Sequence, residues 1–233
     1  MNEIAILMAA GLGSRMRPLT DTTAKPLVKV RGVPLIETVL AALHKRGVSE
    51  IYIVTGYKGE QFNALAENDS SIHLVSNSEY ATKNNINSIA VVADRMATAD
   101  CFVCEADLFL PSADLLCRPL EKSGYFGRMV DGHSDDWVFE TTVDRRITRI
   151  GKGGDSCFNM VGISYFRQPD AKRIAEAVVE AVKFPENSQL FWDEIVDRLV
   201  KQGLELTIHE VGEGEIVECD TVSDLEQLEA TLV

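Results

Sequence analysis

An apolar run leads directly into a glycine-containing loop near the start of the chain, and this junction constrains the fold most. Ile4–Leu7 has the length and composition of a strand buried in a parallel sheet. Gly11 and Gly13 follow it, and glycine allows both a close approach to a ligand and a positive φ. Two cations, Arg15 and Lys25, lie downstream. A strand that ends in such a loop predicts an α/β fold with a polyphosphate site.

Two commoner glycine loops differ from this one. A dinucleotide-binding loop has the pattern Gly-x-Gly-x-x-Gly, with an acidic residue about 20 positions later. Here Gly13 is followed by Ser-Arg-Met-Arg, and the next predicted strand leads into Val54–Tyr57 without a carboxylate. The P-loop pattern Gly-x-x-x-x-Gly-Lys-Ser/Thr does not occur in the sequence. A tight turn with two surface cations is the structural alternative, and the length of the motif favours a functional loop.

Strand-like and helix-like segments alternate through the first half of the chain. A helix is predicted near Leu35–Lys45, because Ile36, Val39, Leu40 and Leu43 share one helical face. The other predicted segments are the strands Ile4–Met8, Ile51–Val54, Ile72–Val75 and Cys101–Cys104 and a short helix near Glu60–Ala66. This alternation predicts a Rossmann-like, mainly parallel sheet flanked by helices, with ligands at the carboxyl ends of its strands.

After Tyr125 the predicted strands follow one another without helices, so we expect antiparallel additions to the sheet. These strands are Phe126–Val130, Trp137–Thr141, Arg146–Ile150 and Asn159–Phe166. The last predicted elements are helices at Asp170–Lys183 and Leu190–Gln202, a closing pair of strands and an acidic helix from Ser223. We predict a single α/β domain over residues 1–233, with a nucleotide-binding half at 1–124 and an acceptor-substrate half at 125–233.

The composition narrows the class of partner. The 233 residues carry a formal net charge of −13, and 45% of them are hydrophobic. The negative charge argues against a nucleic-acid partner, because phosphate backbones are bound by basic surfaces. A small anionic substrate remains compatible, since basic residues cluster early, at Arg15, Arg17, Lys25, Lys29 and Arg31. No apolar stretch approaches the ~20 residues of a membrane span, so no membrane partner is expected.

The five cysteines are scattered and odd in number, which is typical of a reduced, cytoplasmic protein. Cys101 and Cys104 have Cys-x-x-Cys spacing, but they lie on a predicted strand. An odd separation on a strand points two side chains to opposite faces, which disfavours a shared zinc ion. We expect all five to be structural: Cys101, Cys104, Cys117, Cys157 and Cys219.

The N-terminal motif resembles the signature of the nucleotidyltransferases that make sugar nucleotides and related activated head groups. It comprises Ala9–Gly11, Gly13–Met16, Pro18–Thr20 and Lys25–Leu27. Further segments are similar to the bacterial CTP:phosphocholine cytidylyltransferase branch of that family. They are Gly56-Tyr57, Tyr80–Ser88, Glu105-x-Asp107, Trp137, Trp192-Asp193 and Glu218-x-Asp220. The resemblance spans essentially the whole chain, and it implies a nucleotidyltransferase with CTP as the nucleotide and Mg²⁺ as the cofactor.

The resemblance also implies roles for the N-terminal residues. The nucleotide-binding loop would consist of Ala9, Ala10, Gly11, Gly13 and Ser14. Arg15 would stabilise the charge that develops on the leaving pyrophosphate. Lys25 would bridge the α-phosphate and the incoming phosphate, where a cation removes the repulsion between two anions. Arg15 and Lys25 are therefore the expected catalytic residues.

A polar segment resembles the part of this branch that receives the pyrimidine and the ribose. Its expected nucleotide-binding residues are Tyr80, Asn84, Asn85 and Ser88. Amide and hydroxyl groups suit the mixed donor and acceptor edge of cytosine. The alternative is that Asn84 or Asn85 caps the helix that begins there, and both roles can coexist.

Two aspartates match positions where the family places its magnesium carboxylates. Asp107 and Asp220 each follow a strand-like segment. Mg²⁺ prefers one or two carboxylates together with phosphate oxygens and waters, so this pair is chemically sufficient. Either aspartate alone could instead be a helix cap or a turn residue, but the pair within this set of motifs favours a metal site. Glu218 shares a strand face with Asp220 by the period of two, so we expect it to face the same site.

Aromatic residues in the second half distinguish this branch from sugar-phosphate enzymes. A quaternary ammonium has no N–H donors and binds best to aromatic faces beside a carboxylate. The expected substrate-binding residues are Trp137, Phe191, Asp193 and Glu218. Trp192 is expected in the core instead, on a helical stripe with Leu199. Phe191 and Asp193 can face one point only if the helix starts near them.

The resemblance implies the reaction CTP + phosphocholine → CDP-choline + pyrophosphate, without a covalent intermediate. Alternative acceptors are phosphoethanolamine, 2-aminoethylphosphonate and a sugar-1-phosphate. A different class of function is a catalytically inactive nucleotide-sensing subunit. The presence of Arg15, Lys25 and Asp107 argues against it.

Overall fold

A seven-stranded mixed sheet organises the protein. In the computed structural model, which describes residues 2–232, the strand order is β10-β8-β9-β6-β1-β4-β5. The strands of this sheet are β1 (Glu3–Ala9), β4 (Glu50–Thr55), β5 (Ile72–Ser76), β6 (Asp100–Glu105), β8 (Gly124–Thr141), β9 (Ile147–Phe166) and β10 (Thr207–Glu210). Only β9 runs antiparallel to its neighbours in the sheet. The predicted mainly parallel α/β fold is therefore confirmed.

Helices and two short ladders complete the fold. The short strands are β2 (Lys29–Val30), β3 (Val33–Pro34), β7 (Leu108–Phe109) and β11 (Val217–Glu218). The α-helices are α1 (Leu35–Arg46), α2 (Asn63–Asn68), α3 (Ile86–Ala90), α4 (Ala93–Met96), α5 (Gln168–Ala181), α6 (Trp192–Lys201) and α7 (Val222–Thr231). Single 3₁₀ turns lie at Ser14–Met16, Leu19–Asp21, Lys25–Leu27, Gly59–Phe62, Leu115–Cys117 and Pro185–Asn187. None of the helices within residues 2–232 is long and apolar enough to cross a membrane.

The sheet separates two hydrophobic cores, because successive residues of a strand point to opposite faces. On β1, Ile4 and Ile6 enter one core, and Ala5 and Leu7 enter the other. The predicted face of α1 packs into the second core, where its four apolar side chains are buried. Parallel strands buried on both faces in this way explain the continuous apolar run at the start of the sequence.

Cys101 and Cys104 also point to opposite faces of the sheet, as predicted. Cys101 lies in the first core and Cys104 in the second. All five cysteines are free thiols, and only Cys117 is exposed. The two thiols thus lie on opposite faces of the sheet, as the strand period predicts.

The second half differs from the predicted elements in two ways. The four predicted antiparallel strands are two long ones, β8 and β9, which pair along most of their length with several register shifts. Gly132 and Gly153 have positive φ values of 84° and 71°, so turn-like residues occur within continuous strands. The closing strands do not pair with each other, because β10 pairs with β8 and β11 pairs with β7.

Candidate active site

The glycine loop after β1 is shaped by contacts with the segment that carries Lys25. Gly13 has a φ of +61°, and a Cβ at this position would lie 2.9 Å from the Cβ of Lys25. The Thr20 hydroxyl donates a hydrogen bond of 2.8 Å to the Gly13 carbonyl. Gly11 does not have a positive φ, contrary to the expectation for both glycines. It has no neighbouring atoms within 4 Å of an added Cβ, so there is space beside its backbone.

A second close approach joins this loop to the end of β4. A Cβ on Gly56 would lie 2.7 Å from both the Ala10 carbonyl oxygen and the Tyr80 ring. The Tyr57 amide donates a hydrogen bond of 3.1 Å to the same carbonyl. The Gly56-Tyr57 motif therefore holds Tyr80 against the glycine loop.

Lys25 lies between the two predicted metal ligands. Its Nζ is 2.5 Å from Asp107 Oδ2 and 2.6 Å from Asp220 Oδ1. Arg15 approaches the other oxygen of Asp220, with Nη1 at 2.9 Å from Oδ2. The Lys25 side chain is 10% exposed, whereas that of Arg15 is 68% exposed. One cation is thus buried at the base of the site, and the other is largely exposed while it pairs with Asp220.

The short ladder between β7 and β11 brings the two aspartates together. Asp107 directly precedes β7, and Asp220 lies two residues beyond β11. The ladder is antiparallel, with Leu108 opposite Glu218. Two Glu-x-Asp segments that are more than 100 positions apart in sequence therefore meet at the carboxyl edge of the sheet.

Four carboxylates crowd this edge, and the pKa values of the two glutamates among them are raised. Burial raises the pKa of Glu105 well above its usual range, and the neighbouring charges of Asp107 and Glu218 raise it further. Enclosure by the walls of the cleft raises the pKa of Glu218 to about 7, with Asp220 and Asp107 adding to the shift. Burial opposes the charge on Lys25, but the two aspartates outweigh it and raise its pKa above the usual value. Lys25 is therefore an ammonium that partly neutralises a strongly acidic site.

The smaller of two adjoining cavities, about 400 Å³ in volume, lies over the glycine loop. The predicted residues that line it are Ala9, Ala10, Gly11, Gly13, Ser14, Arg15, Lys25, Tyr80, Asn85, Ser88, Asp107, Glu218 and Asp220. Asn84 is not among its lining residues. The Asn84 side chain instead donates a hydrogen bond of 3.1 Å to the Gln189 carbonyl, and it accepts one of 2.7 Å from the Asn85 amide.

A buried amide network supports the wall that carries Tyr80 and Asn85. Asn77 is 1% exposed, and it bonds to Ser88 Oγ at 3.1 Å and to Asn87 Nδ2 at 2.7 Å. Asn85 Oδ1 accepts a hydrogen bond of 3.0 Å from the Trp192 amide. Asn85 therefore caps the start of α6 rather than its own helix, and it ties the two cavity walls together.

The larger cavity, about 980 Å³ in volume, adjoins the first along a shared border. The residues that line both cavities are Arg15, Asn85, Glu105, Glu218 and Asp220. Trp137, Phe191 and Asp193 line the larger cavity, so the predicted head-group residues lie on its walls. Trp137 and Phe191 contact each other edge to face, with ring centroids 5.2 Å apart.

The start of α6 sets the geometry of this wall. Phe191 directly precedes the helix, and its amide donates a hydrogen bond of 2.8 Å to Glu194 Oε2. Asp193 is buried and accepts a hydrogen bond of 2.9 Å from the Tyr125 hydroxyl. Burial raises the pKa of Asp193 to about 7, although the Tyr125 hydrogen bond opposes the shift. Trp192 is 3% exposed and belongs to the core, as the helical spacing predicts.

Glu105 and Lys152 are among the lining residues that received no role from the sequence. Glu105 lies on the border of the two cavities, and the period of two from Asp107 is a signal that points to it. Lys152 lines the larger cavity, and its Nζ lies over the Phe191 ring at 5.9 Å from the centroid. No motif marks Lys152, because its place depends on the register between two long strands.

The donor set at Asp107 and Asp220 fits a hard divalent cation. Oxygens of both carboxylates already converge on the ammonium of Lys25, and carboxylates are preferred Mg²⁺ ligands. Within residues 2–232, no three or more His, Cys, Asp or Glu side chains group to hold a metal ion by themselves. A cation at this site would therefore need further oxygen ligands from a phosphate or from water.

The fold and the site together define a nucleotide-handling α/β protein, with a glycine loop, a bridging lysine and paired carboxylates at the carboxyl edge of a parallel sheet. The family model of the MobA-like NTP transferase domain matches residues 5–145. The chain belongs to this nucleotidyltransferase family.

Known relatives narrow the class further. The chain is 47% identical to the 2-aminoethylphosphonate cytidylyltransferase of Lancefieldella rimae over 95% of its length and 89% of that protein. It is 32% identical to the choline-phosphate cytidylyltransferase of Streptococcus pneumoniae over 98% of its length and 97% of that protein. A solved structure of the CTP:phosphocholine cytidylyltransferase from that species superposes over the whole of both chains with a TM-score of 0.90. These similarities identify an enzyme of the cytidylyltransferase group.

Proposed function

We propose that this enzyme transfers CMP from CTP to 2-aminoethylphosphonate, with release of pyrophosphate. The relative from Lancefieldella rimae, whose name states that activity, supports the proposal. In the structure, the observation that carries it is the acidic lining of the larger cavity, which includes Glu105, Asp193 and Glu218. Carboxylates accept hydrogen bonds from a primary ammonium, whereas a quaternary ammonium has no N–H to donate. The phosphocholine acceptor predicted from the sequence has less support than this alternative.

The smaller cavity suits the nucleotide. The backbone of Gly11 has open space beside it, and Gly11 and Gly13 both line this cavity. Triphosphate oxygens would accept hydrogen bonds from the loop amides. Arg15, with its exposed guanidinium, would follow the charge that develops on the departing pyrophosphate.

The position of Lys25 suits a role in aligning the acceptor with the α-phosphate of CTP. A phosphonate oxygen of the acceptor attacks the α-phosphorus of CTP; a new P–O bond forms, and the bond to the β-phosphate oxygen breaks. The ammonium of Lys25 lines the smaller cavity and contacts Asp220, which lines both cavities, so it lies close to where these two anions would meet. It would reduce their mutual repulsion and hold them in line.

Asp107 and Asp220 are the proposed ligands of Mg²⁺, together with phosphate oxygens. When bound there, the ion would polarise the α-phosphate and screen its charge. Lys25 contacts one carboxylate oxygen of each aspartate. When the cation binds, these oxygens would therefore either contact both Lys25 and the cation or lose their contact with Lys25.

Phosphocholine is the second candidate acceptor. The edge-to-face pair of Trp137 and Phe191 lines the same cavity, and aromatic rings suit a trimethylammonium. The similarity to the Streptococcus pneumoniae enzyme also favours it.

A pyrophosphate-release assay that crosses four nucleoside triphosphates with four acceptors tests the proposal. The acceptors are 2-aminoethylphosphonate, phosphoethanolamine, phosphocholine and glucose-1-phosphate. We expect the highest kcat/KM with CTP and 2-aminoethylphosphonate. A preference for phosphocholine would support the second candidate and overturn the first.

Trp137→Ala separates the two candidates further. If the ring faces a quaternary ammonium, the variant loses roughly 2- to 30-fold in kcat/KM for phosphocholine and less for a primary amine. If the tryptophan mainly supports the wall, both acceptors lose activity equally, which is the result that the proposal expects.

A further inference from the structure

Lys152 is placed on the head-group wall by the pairing of the two longest strands. Trp137 on β8 lies opposite Lys152 on β9. Both residues line the larger cavity, as does Phe191 from the start of α6. The three side chains come from three separate elements, and they meet at one part of the wall.

The ammonium of Lys152 lies where a cationic ligand would bind the aromatic ring. Its Nζ lies over the Phe191 ring, 5.9 Å from the centroid, within the range of a cation–π contact. The same ring meets Trp137 edge to face. A trimethylammonium that approached this face of Phe191 would meet the positive charge of Lys152 at the position above the ring where it would otherwise bind.

The charge of Lys152 is not neutralised by a fixed partner. Among the residues that the structure describes, no carboxylate oxygen lies within 4.0 Å of its Nζ. The carboxylates of Asp193 and Glu218 lie on the same cavity. One wall therefore repels a cation at the aromatic ring, while the carboxylates attract one and accept N–H hydrogen bonds from it.

We propose that Lys152 is a specificity-determining residue that occupies the Phe191 face and disfavours a quaternary ammonium there. The carboxylates are then left to select a primary ammonium. This inference rests on the proposed function, because it assigns the residue that separates an aminoethyl head group from a choline head group. A primary ammonium escapes the penalty, since it binds the carboxylates by hydrogen bonds and does not need the ring.

Lys152→Met tests the inference, because methionine keeps most of the apolar stem and removes the charge. The measured quantity is the ratio of kcat/KM for phosphocholine to kcat/KM for 2-aminoethylphosphonate, with CTP saturating. We expect this ratio to rise roughly 3- to 30-fold, as removal of a like charge about 6 Å away predicts. The change should be in KM for phosphocholine, and Lys152→Arg should keep the wild-type ratio.

Lys58→Met is the matched control. Lys58 also places its Nζ over an aromatic ring, 5.0 Å from the Tyr57 centroid, but it lines neither the smaller nor the larger cavity. The control should leave the ratio unchanged. In the wild type the ratio should also rise with salt, because salt screens an exposed charge, and this dependence should be absent in Lys152→Met.

Two results would overturn the inference. One is an unchanged kcat/KM for both acceptors in Lys152→Met; the other is an equal loss with both acceptors, which also leaves the ratio unchanged and would place Lys152 on their shared phosphorus group. The proposed function is tested separately by the wild-type ranking of the two acceptors. The change of the ratio on substitution can be measured whichever acceptor ranks first.

Discussion

At the scale of single residues, the acidic edge of the site depends on one buried cation. Lys25 is the ammonium that contacts both Asp107 and Asp220, and its side chain is 10% exposed. Removing it would leave two close carboxylates without this counter-charge and would remove the cation between the two anionic reactants. The same residue therefore affects stability and catalysis.

Lys25→Ala is expected to lower kcat by about 100-fold or more, because the interaction strengthens as charge develops in the transition state. The measurement is kcat at saturating CTP and acceptor, with a thermal melt to show that the variant is folded. Lys29→Ala, four residues later at an exposed position, is the control and should keep its activity. Near-normal turnover of Lys25→Ala would remove Lys25 from the mechanism.

The ionised Asp193 carboxylate is expected to lower the stability of the fold and to strengthen substrate binding. Its folded pKa of about 7 exceeds its usual 3.8, so its ionisation destabilises the fold as pH rises between these values. Asp193→Asn keeps an acceptor for the Tyr125 hydroxyl and removes the buried charge. We expect the melting temperature of the variant minus that of the wild type to be larger at pH 8 than at pH 4.

The same variant should lose about 10- to 100-fold in kcat/KM for 2-aminoethylphosphonate, because it loses a charged hydrogen bond to the ammonium. Asp197→Asn is the control, since Asp197 lies one turn later on α6 and bonds to the Ile150 amide instead. Equal losses in both variants would contradict a substrate-binding role for Asp193.

At the scale of elements, loops and short strand ladders position the site. The predicted helices and strands agree with the structure to different degrees. The 3.6-residue period correctly predicted α1 and α6, whose apolar faces are buried. The breaks predicted within β8 and β9 were wrong, because glycines and acidic residues there read as turns. In the structure the two strands continue through these residues and pair with each other, with shifts in register along the pair.

Gly13→Ala is expected to disrupt the loop and Lys25 together. A positive φ costs an ordinary residue about 1–2 kcal/mol, and the new Cβ would also meet Lys25 at 2.9 Å and Thr20 at 3.0 Å. Gly32→Ala is the control, because Gly32 has a φ of +87° but open space around it.

Urea unfolding should therefore show a larger loss of stability for Gly13→Ala than for Gly32→Ala. Only the former should lower kcat. Equal losses of stability would mean that the backbone conformation alone, and not the contact with Lys25, requires glycine at this position.

At the scale of the whole molecule, the site combines segments from both ends of the chain. Lys25 and Asp220 are 195 positions apart in sequence, and the smaller cavity takes Glu218 and Asp220 from the second half. The proposed division into a nucleotide half and an acceptor half stays a prediction, and these residues would serve both.

Removal of divalent cations should abolish activity. We expect EDTA to stop pyrophosphate release and excess Mg²⁺ to restore it, and Asp107→Asn and Asp220→Asn should each lose about 100-fold or more in kcat. A direct titration with Mn²⁺ should show weakened binding in both variants. Asp114→Asn is the control, because Asp114 pairs with the exposed Lys45 at 2.7 Å instead. Undiminished turnover in EDTA would refute the metal assignment.

The sequence by itself determined the features that depend on neighbouring residues: the buried first strand, the glycine loop, the alternation that specifies a mainly parallel sheet, and the residue types at each strand end. These are local, because strand and helix periods and glycine conformations involve only a few consecutive residues. The family signature also pointed to most of the residues that line the smaller cavity, although Asn84 turned away to bond with Gln189.

Only the tertiary structure decided which distant side chains meet. The contact of Lys25 with Asp220 depends on the β7–β11 ladder, and that of Lys152 with Phe191 depends on the register of β8 and β9. A shift of one residue in a strand turns every side chain to the other face. Such registers are set by the packing of the whole molecule, so the family resemblance assigned the acidic and aromatic residues to one substrate site, but the individual contacts within it, such as that of Lys152 with Phe191, were not predictable.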